Sequence, residues 1–560
     1  MTGTKILAIT VIGLQALVIL RFFLAQYQDT QSGTNNATAP TATRNNILLE
    51  TNEEVSCVAW RATDHCSPDG PRLSNHALSF FADTDLSCQD YVPTYGSGYC
   101  ELVITGTPFT KKKNEKYSGK GRIVRAFQQS CDHQGRAGPY SLWDRYMPVF
   151  KCDQAVEFLN YQHRARHYEP EEPILTSEDH NNDSNNSPPQ SPSKGIVIQI
   201  YPSALPSVCA IIKLLRDQHH STLPIELWHV QGELSDQHVM VRHLLEHFDQ
   251  VHLRTIPAAP NNNKNNNSYM TKIHTIAYSE FDQVLFLDSD KFSFRDPAYL
   301  FDNLNDMIHT DQEQGPTHRI TSAIFWKDFW NPHRKDYVMT SNSVVWELLG
   351  IDTNDDNNSE DNNNNLKKSR RPMEMEMESG QMVIDRRYSK RALHILLFLA
   401  QTFSEWLEPL ILVWGDKDMF RLAWYMADTP FHYIQQPPSL AGQDVVLKWA
   451  SADVVCGITM VQHDMAGDPI FFHRNIAKLS TEADLIKVWE KGAQFVGANT
   501  DTEYDVEGSR SIYRMHGCYH PTSRVRQHFQ EIDYRGSSVE AFEEKILQFA
   551  REGLQITQAT

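Results

Sequence analysis

From residue 194 onward the chain alternates short apolar runs with stretches of helical spacing. Residues 195–201, 223–229 and 251–256 are strand-like runs rich in Ile, Val and Leu. Between them, 208–216, 238–247 and 270–279 repeat apolar positions at helical spacing. Residues 284–287, Val-Leu-Phe-Leu, predict a strand buried on both faces. Strands alternating with helices predict an α/β fold, a mostly parallel sheet with helices on both faces. Ligands in such sheets sit beyond the carboxyl ends of the strands, where the 284–287 run meets Asp288, Ser289 and Asp290.

The pattern differs before residue 194. Residues 6–24 are apolar apart from Gln15 and Arg21, with Lys5 ahead of them. At about 1.5 Å per residue such a helix crosses a bilayer core of about 30 Å. It reads as an uncleaved signal anchor over 6–25 behind a cytoplasmic tail of 1–5, and Lys5 places the rest in the lumen. A cleaved signal peptide is the competing reading, against which bulky Phe23 stands at the −3 position of a cut after Ala25. Residues 26–53 are polar and predict a solvated stem.

A lumenal chain should carry glycans and disulfides. Asn36, Asn182, Asn185, Asn266 and Asn357 begin N-glycosylation sequons. Of nine cysteines, Cys57, Cys66, Cys88, Cys100, Cys131 and Cys152 crowd into one segment, which predicts a disulfide module over 54–155. A zinc site is the alternative, without a Cys-x-x-Cys spacing to support it. Trp60 and Tyr99 either bind an acceptor glycan or form the module's core. Cys518 either bridges to Cys456 or stays free.

Residues 156–193 end in a Glu-, Asn-, Ser- and Pro-rich tract that predicts a linker, and 194–560 form the second domain. Asn-rich inserts at 260–268 and 354–371 predict surface loops, and the Met-Glu alternation of 373–378 is an edge strand or a loop end. Further on, 482–492 predicts a helix, 497–510 a loop, 512–515 a strand and 539–552 a closing helix. The net charge of −18, from 70 Asp and Glu against 52 Lys and Arg, argues against binding nucleic-acid phosphate.

Two carboxylates flanking a small residue at a strand end suit a hard divalent cation, because residues two apart in extended backbone share a side. A plain acidic turn is the alternative, since Asp83–Asp85 and Asp416–Asp418 repeat the spacing without the buried strand. Asp416 and Asp418 precede a helical stretch at 419–426 and either cap it or face a substrate. Gly380 and Gln381 precede the apolar run 382–384, where glycine admits close approach and the amide reaches hydroxyls. Trp326, Trp330 and Trp414 are aromatic candidates for stacking on sugars or for core.

Several ordered motifs carry a resemblance: Leu214-Leu215-Arg216, Leu223 to Trp228, Lys272, Phe286 to Asp290, Asp296-Pro297, Glu378 to Asp385, Trp414 to Phe420, and Phe471 to Asn475. Together they resemble the fungal Golgi α-mannosyltransferases of glycosyltransferase family 71. The cysteine segment resembles a module attached to some secretory-pathway glycosyltransferases. The first resemblance implies a GT-A fold, GDP-mannose as donor, a glycan or glycoprotein acceptor, Mn2+ and retention of configuration, with UDP-galactose or UDP-glucose as alternative donors. It implies Asp288, Asp290 and His473 as metal ligands and Arg216, Lys272, Asp288, Gly380 and Gln381 at the donor. It leaves Asp416, Asp418 and Gln381 as catalytic candidates. A catalytically inactive lumenal carbohydrate-binding protein is the alternative from a different class.

Overall fold

The computed structural model describes residues 49, 53–63, 85–92, 97–106, 121–129, 151–177, 193–257, 267–315, 318–330, 344–351, 375–409, 412–413, 415–446, 453–513 and 516–558. The expected anchor, all five sequon asparagines, Cys66, Cys131, Trp414 and most of the two Asn-rich inserts lie outside them. Among the described residues, no helix is long and apolar enough to cross a membrane.

Strands Glu54–Ala62 (β1), Gly98–Thr105 (β2) and Arg122–Gln129 (β3) form an antiparallel sheet, followed by helix Cys152–Arg166 (α1). Cys57–Cys88 and Cys100–Cys152 are disulfides, so the module is stapled as its cysteine density predicts. Trp60 is fully buried and Tyr99 nearly so. Both are core, and neither offers a ring face to a glycan. The boundary expected between 155 and 156 falls inside α1.

Next come Lys194–Gln199 (β4), helix Leu205–Lys213 (α2), Ile225–Val230 (β5), helix Val239–His247 (α3), Val251–Ile256 (β6), helix Asn267–Ala277 (α4), Gln283–Leu287 (β7) and short Lys291–Ser293 (β8). Helix Tyr299–Glu313 (α5), Ala323–Lys327 (β9), helix Val344–Leu349 (α6), Met377–Asp385 (β10), helices Arg386–Gln401 (α7) and Asp416–Met426 (α8), and His432–Tyr433 (β11) follow. Seven of these strands form one sheet in the order β11-β9-β10-β7-β4-β5-β6. All run parallel except β10, which is antiparallel to both β7 and β9. Of the 373–378 alternation expected as an edge strand or a loop end, Met377 and Glu378 open this central strand, and 373–374 lie outside the described residues. Alternation along β7 feeds two cores: Val284 and Phe286 join one face, Leu285 and Leu287 the other.

The first of those cores continues into the module. Phe158 of α1 packs edge-on to Trp406 at 4.9 Å, the Tyr161 hydroxyl lies 2.8 Å from Thr402 Oγ1, and Arg166 donates to Gly350 O at 2.9 Å. The start of the expected linker is also docked. Ile174 is fully buried, and Ser177 N–H donates to Asp282 Oδ1 at 2.8 Å, just before β7.

A second sheet differs from the expectation of helix and loop. Strands Ser439–Val446 (β12), Asp453–His463 (β13), Pro469–His473 (β14), Lys491–Phe495 (β15), Val506–Tyr513 (β16), His516–Pro521 (β17) and Phe529–Asp533 (β18) are antiparallel, with β8 paired to β14. Residues 482–492 are not a helix. The Thr481 to Asp484 capping box closes only one turn, after which the N–H groups of Val488 and Trp489 donate to the buried Glu543 carboxylate. Glu543 belongs to the closing helix Ser538–Gln558 (α9), so tertiary partners override local helical spacing. Cys456 and Cys518 are bonded, joining β13 to β17.

One buried arginine secures the entry to β7. Arg386 donates to Ala277 O (2.6 Å), Ser279 O (2.5 Å), Phe281 O (2.8 Å) and Leu175 O (2.9 Å), satisfying carbonyls at the end of α4 and in the docked linker. Arg386→Met is expected to lower stability by at least about 3 kcal/mol, measured as the shift in urea unfolding, because it strands several buried acceptors.

Candidate active site

Strand β7 is wholly buried and stops at Leu287. Asp288 N–H donates to Gly380 O on β10 (2.8 Å), and Lys291 N–H donates to Asp288 O (3.0 Å), closing a tight turn over Ser289 and Asp290. The two carboxylates thus sit on a turn, not on the extended backbone expected. Asp288 faces Lys272, whereas Asp290 faces His473 and Lys478.

His473 arrives because β14 pairs with β8 in a register that sets it opposite Lys291. Its Nε2 is 3.1 Å from Asp290 Oδ1 and its Nδ1 is 3.6 Å from Glu378 Oε1. Glu378 comes from β10, accepts from Gly380 N–H (2.6 Å), and lies 3.7 Å from Lys291 Nζ. A β-carbon on Gly380 would meet Glu378 Oε1 at 2.5 Å and Lys291 Cε at 2.7 Å, so a side chain there would push these two charged groups aside. Ligand atoms of Asp288, Glu378 and His473 all lie within 4.8 Å of one another.

Lys272 reaches over from α4. Its ammonium is 3.2 Å from Asp288, 2.9 Å from Asp416 Oδ2 and 3.1 Å from Ser379 Oγ. Asp416 is the first residue of α8, after Gly415, whose φ of 112° suits glycine. The capping position is therefore Gly415, leaving the Asp416 carboxylate for Lys272.

Burial opposes ionisation of Glu378, but Lys291, His473 and Lys272 overcome it and hold its carboxyl at about 2. Asp290 is likewise held far below the ordinary carboxylate range, because His473 and Lys478 outweigh its burial. Burial pushes Asp288 up, with Lys272 pulling against it. Lys272 is buried too, yet Asp288 and Asp416 raise it. Lys291 goes the other way: burial depresses its ammonium against the pull of Glu378.

A second charged group adjoins the first. Lys417 Nζ lies between Asp328 Oδ2 (2.6 Å) and Glu376 Oε2 (2.7 Å). Asp418 is fully buried on α8, 3.9 Å from Arg421, whose guanidinium donates to Met375 O (2.9 Å). Burial, with Asp418 nearby, pushes Glu376 up to about 8.

The structure brings together Lys272, Asp288, Asp290, Gly380, Asp416 and His473 from the expected set. It does not bring Arg216, Asp418 or Gln381 to the cluster. Arg216 donates to Ser221 O, Leu223 O and Asp249 O, ahead of β5 and β6 and so at the opposite strand edge from Asp288. Asp418 braces α8 from within. Gln381 is fully buried opposite Leu287, on the sheet face away from Asp288. Sequence reasoning missed Glu378, Lys291 and Lys478 as site residues. Glu378 lies two positions before Gly380, and Lys291 follows the Asp-Ser-Asp run directly, so proximity in sequence was the available signal. Trp326 is fully buried in the core.

A family model described as "Mannosyltransferase putative" matches residues 193–464, a stretch that contains Lys272, Asp288, Glu378 and Asp416 but ends before His473. The search of curated proteins found no significant match. Among solved structures, the chain is similar to the mannosyltransferase Ktr4p from S. cerevisiae in complex with GDP, at 11% identity over 52% of this chain and 80% of that one, TM-score 0.28. It is also similar to the galactosyltransferase LgtC with donor and acceptor sugar analogues, at 14% identity over 41% and 69%, TM-score 0.25. The bifunctional glycosyltransferase WbbM is similar at 14% identity over 44% of this chain, TM-score 0.27, and the match spans 40% of the WbbM chain. The family match spans 272 of the 560 residues, just under half of the chain.

The raised pKa of Glu376 has a direction that stability should follow. The folded state holds this proton above the ordinary value of 4.5, so stability falls as pH rises from 4.5 through about 8. Denaturant midpoints between pH 5 and 9 should decline less steeply for Glu376→Gln than for the unaltered protein.

Proposed function

We propose that the chain is a metal-assisted hexosyltransferase that moves mannose from GDP-mannose to a glycan or glycoprotein acceptor with retention of configuration. The observation that carries this reading is the set Asp288, Glu378 and His473 at the carboxyl edge of a mostly parallel sheet, ringed by Lys272, Lys291 and Lys478. The sheet order is read as a GT-A fold, and the ordered motifs of the sequence are read as those of glycosyltransferase family 71.

Two carboxylates and an imidazole are a donor set that suits Mn2+. Asp288, Glu378 and His473 would hold the cation, while Asp290, against the far nitrogen of His473, orients that ring. A bound cation supplies charge stabilisation to the diphosphate leaving group. In the transfer, the bond between the anomeric carbon and the diphosphate oxygen breaks as that carbon bonds to an acceptor hydroxyl. GDP leaves with the electron pair, and the hydroxyl proton passes to a phosphate oxygen or to solvent. Lys272 and Lys478 would offer positive charge to the diphosphate. Asp416 holds Lys272 in place through its 2.9 Å contact.

The N-terminal stretch 6–24 is read as a signal anchor of a single-pass type II Golgi membrane protein, with the remainder lumenal. The three disulfides among the described residues are consistent with an oxidising compartment. Burial of Trp60 and Tyr99 removes the aromatic faces on which a sugar-binding role for the module rested, so the reading of an inactive binding protein loses its main support.

The test is Mn2+-dependent hydrolysis and transfer with GDP-mannose, UDP-galactose and UDP-glucose. GDP-mannose is expected to be consumed, with an α-linked product by NMR. Asp288→Asn and Glu378→Gln should each reduce turnover at least about 100-fold and weaken Mn2+ binding measured by EPR, with unchanged circular dichroism. Turnover of a UDP-sugar instead would move the donor assignment, and no turnover with any donor would end the enzymatic reading.

A further inference from the structure

Strand β14 ends at His473, and the next residue ties its exit to the Asp-Ser-Asp turn: Arg474 N–H donates to Asp290 O (3.1 Å). The Arg474 side chain is fully buried. Its Nε donates to Ala477 O (2.9 Å), one Nη to Ile486 O (3.3 Å) and the other to Glu543 Oε1 (2.7 Å) on α9. Glu543 is fully buried as well, and it also accepts from the N–H groups of Val488 (2.8 Å) and Trp489 (2.9 Å). Rings seat the helix beside this pair. Phe542 lies 5.6 Å from Phe472 of β14 and 6.0 Å from Trp489, centroid to centroid.

The consequence falls on Lys478. Ala477, before it, is held through its carbonyl, and Leu479, after it, is buried in the core that also holds Phe542. Between these fixed neighbours Lys478 extends a half-exposed side chain to Asp290 Oδ2, at 2.5 Å. A buried ion pair adds little net stability over apolar residues of the same bulk, whereas the planar fork of an arginine fixes the direction of each partner. Directed bonds from one guanidinium to its own loop, to the segment at 486 and to the closing helix therefore set backbone position more than they add stability. We propose that Arg474 and Glu543 are positioning residues for the donor: the pair holds 474–479 so that the Lys478 ammonium meets the diphosphate beside Asp290. This rests on the donor reading given above. Both residues lie past the end of the family match at residue 464, so closing helix α9 serves the donor site through one carboxylate that the matched stretch does not contain.

The full chain, saturated with Mn2+, is titrated with GDP by calorimetry, and its unfolding in urea is followed in parallel. Lys478→Met should raise the Kd for GDP at least about tenfold, because it removes a charge-assisted bond to phosphate. Arg474→Lys keeps a positive charge facing Glu543 but loses the fork, and it should raise the Kd at least about fivefold with circular dichroism unchanged. The double variant separates positioning from mere support. With Arg474 acting through Lys478, Arg474→Lys combined with Lys478→Met should bind GDP within about twofold of Lys478→Met alone, because no ammonium is left to misplace. Should Arg474→Lys unfold, Glu543→Gln, which keeps an acceptor for the guanidinium, enters the same cycle with the same expectation of non-additivity. Two results overturn the inference: a folded Arg474→Lys or Glu543→Gln protein whose Kd for GDP is unchanged, and losses that multiply in the double variant. An unaltered protein that does not bind GDP is a separate outcome, and it removes the donor reading together with the positioning role built on it.

Discussion

The antiparallel pairing of β10 with β7, inside a sheet whose other strands run parallel, is the contact on which the candidate site depends. Parallel neighbours present the same end of each strand to an edge, so a parallel β10 would leave 378–380 at the opposite edge from Asp288. Reversal puts the entering end of β10 beside the leaving end of β7. The Asp288 N–H to Gly380 O bond then fixes the turn, and Glu378 and Ser379 fall next to the acid it carries. A side chain at Gly380 would displace the Glu378 carboxylate and the Lys291 ammonium.

The price of this arrangement is electrostatic. Asp288, Asp290, Glu378 and Asp416 converge with Lys272, Lys291 and Lys478 in a largely buried volume, and desolvating so many charges costs several kcal/mol per ion before pairing offsets it. Lys291 illustrates the tension. Its ammonium is fully buried, makes no hydrogen bond among the described residues, and sits 3.7 Å from Glu378. A network of this kind stabilises the fold poorly, and under the proposed reading it would be answered by a ligand that brings both positive and negative charge. A cation with its diphosphate is such a ligand.

The rest of the chain acts by holding this edge in place. The second sheet supplies His473 through β8 and β14, so this imidazole reaches the edge from beyond the parallel core. On the other face, α1 joins the stapled module to α6 and α7 through Phe158, Tyr161 and Arg166, extending the core that also holds Phe286. Lys417 ties the first turn of α8 to the outer end of β10, which sets the position of Asp416 one residue earlier.

Sequence alone determined the alternation of strands and helices over residues 195–287, because buried parallel strands and amphipathic helices have local periods that can be read directly. It also determined the disulfide character of the first module and the place of Asp288 at a strand end, since a buried run ending in acids is a local signal. Tertiary structure alone decided the direction of β10, the second sheet, and the separation of Asp416 from Asp418 into different charge groups. It also decided that Arg216 and Gln381 lie away from the acidic cluster while Glu378, Lys291 and Lys478 belong to it. Strand direction and long-range register depend on partners far apart in the sequence, and no local pattern encodes them. The Asp-Ser-Asp run shows both halves of this: its place at a strand end is written in the residues before it, but its turn, and the division of its two acids between Lys272 and His473, come from α4 and β14.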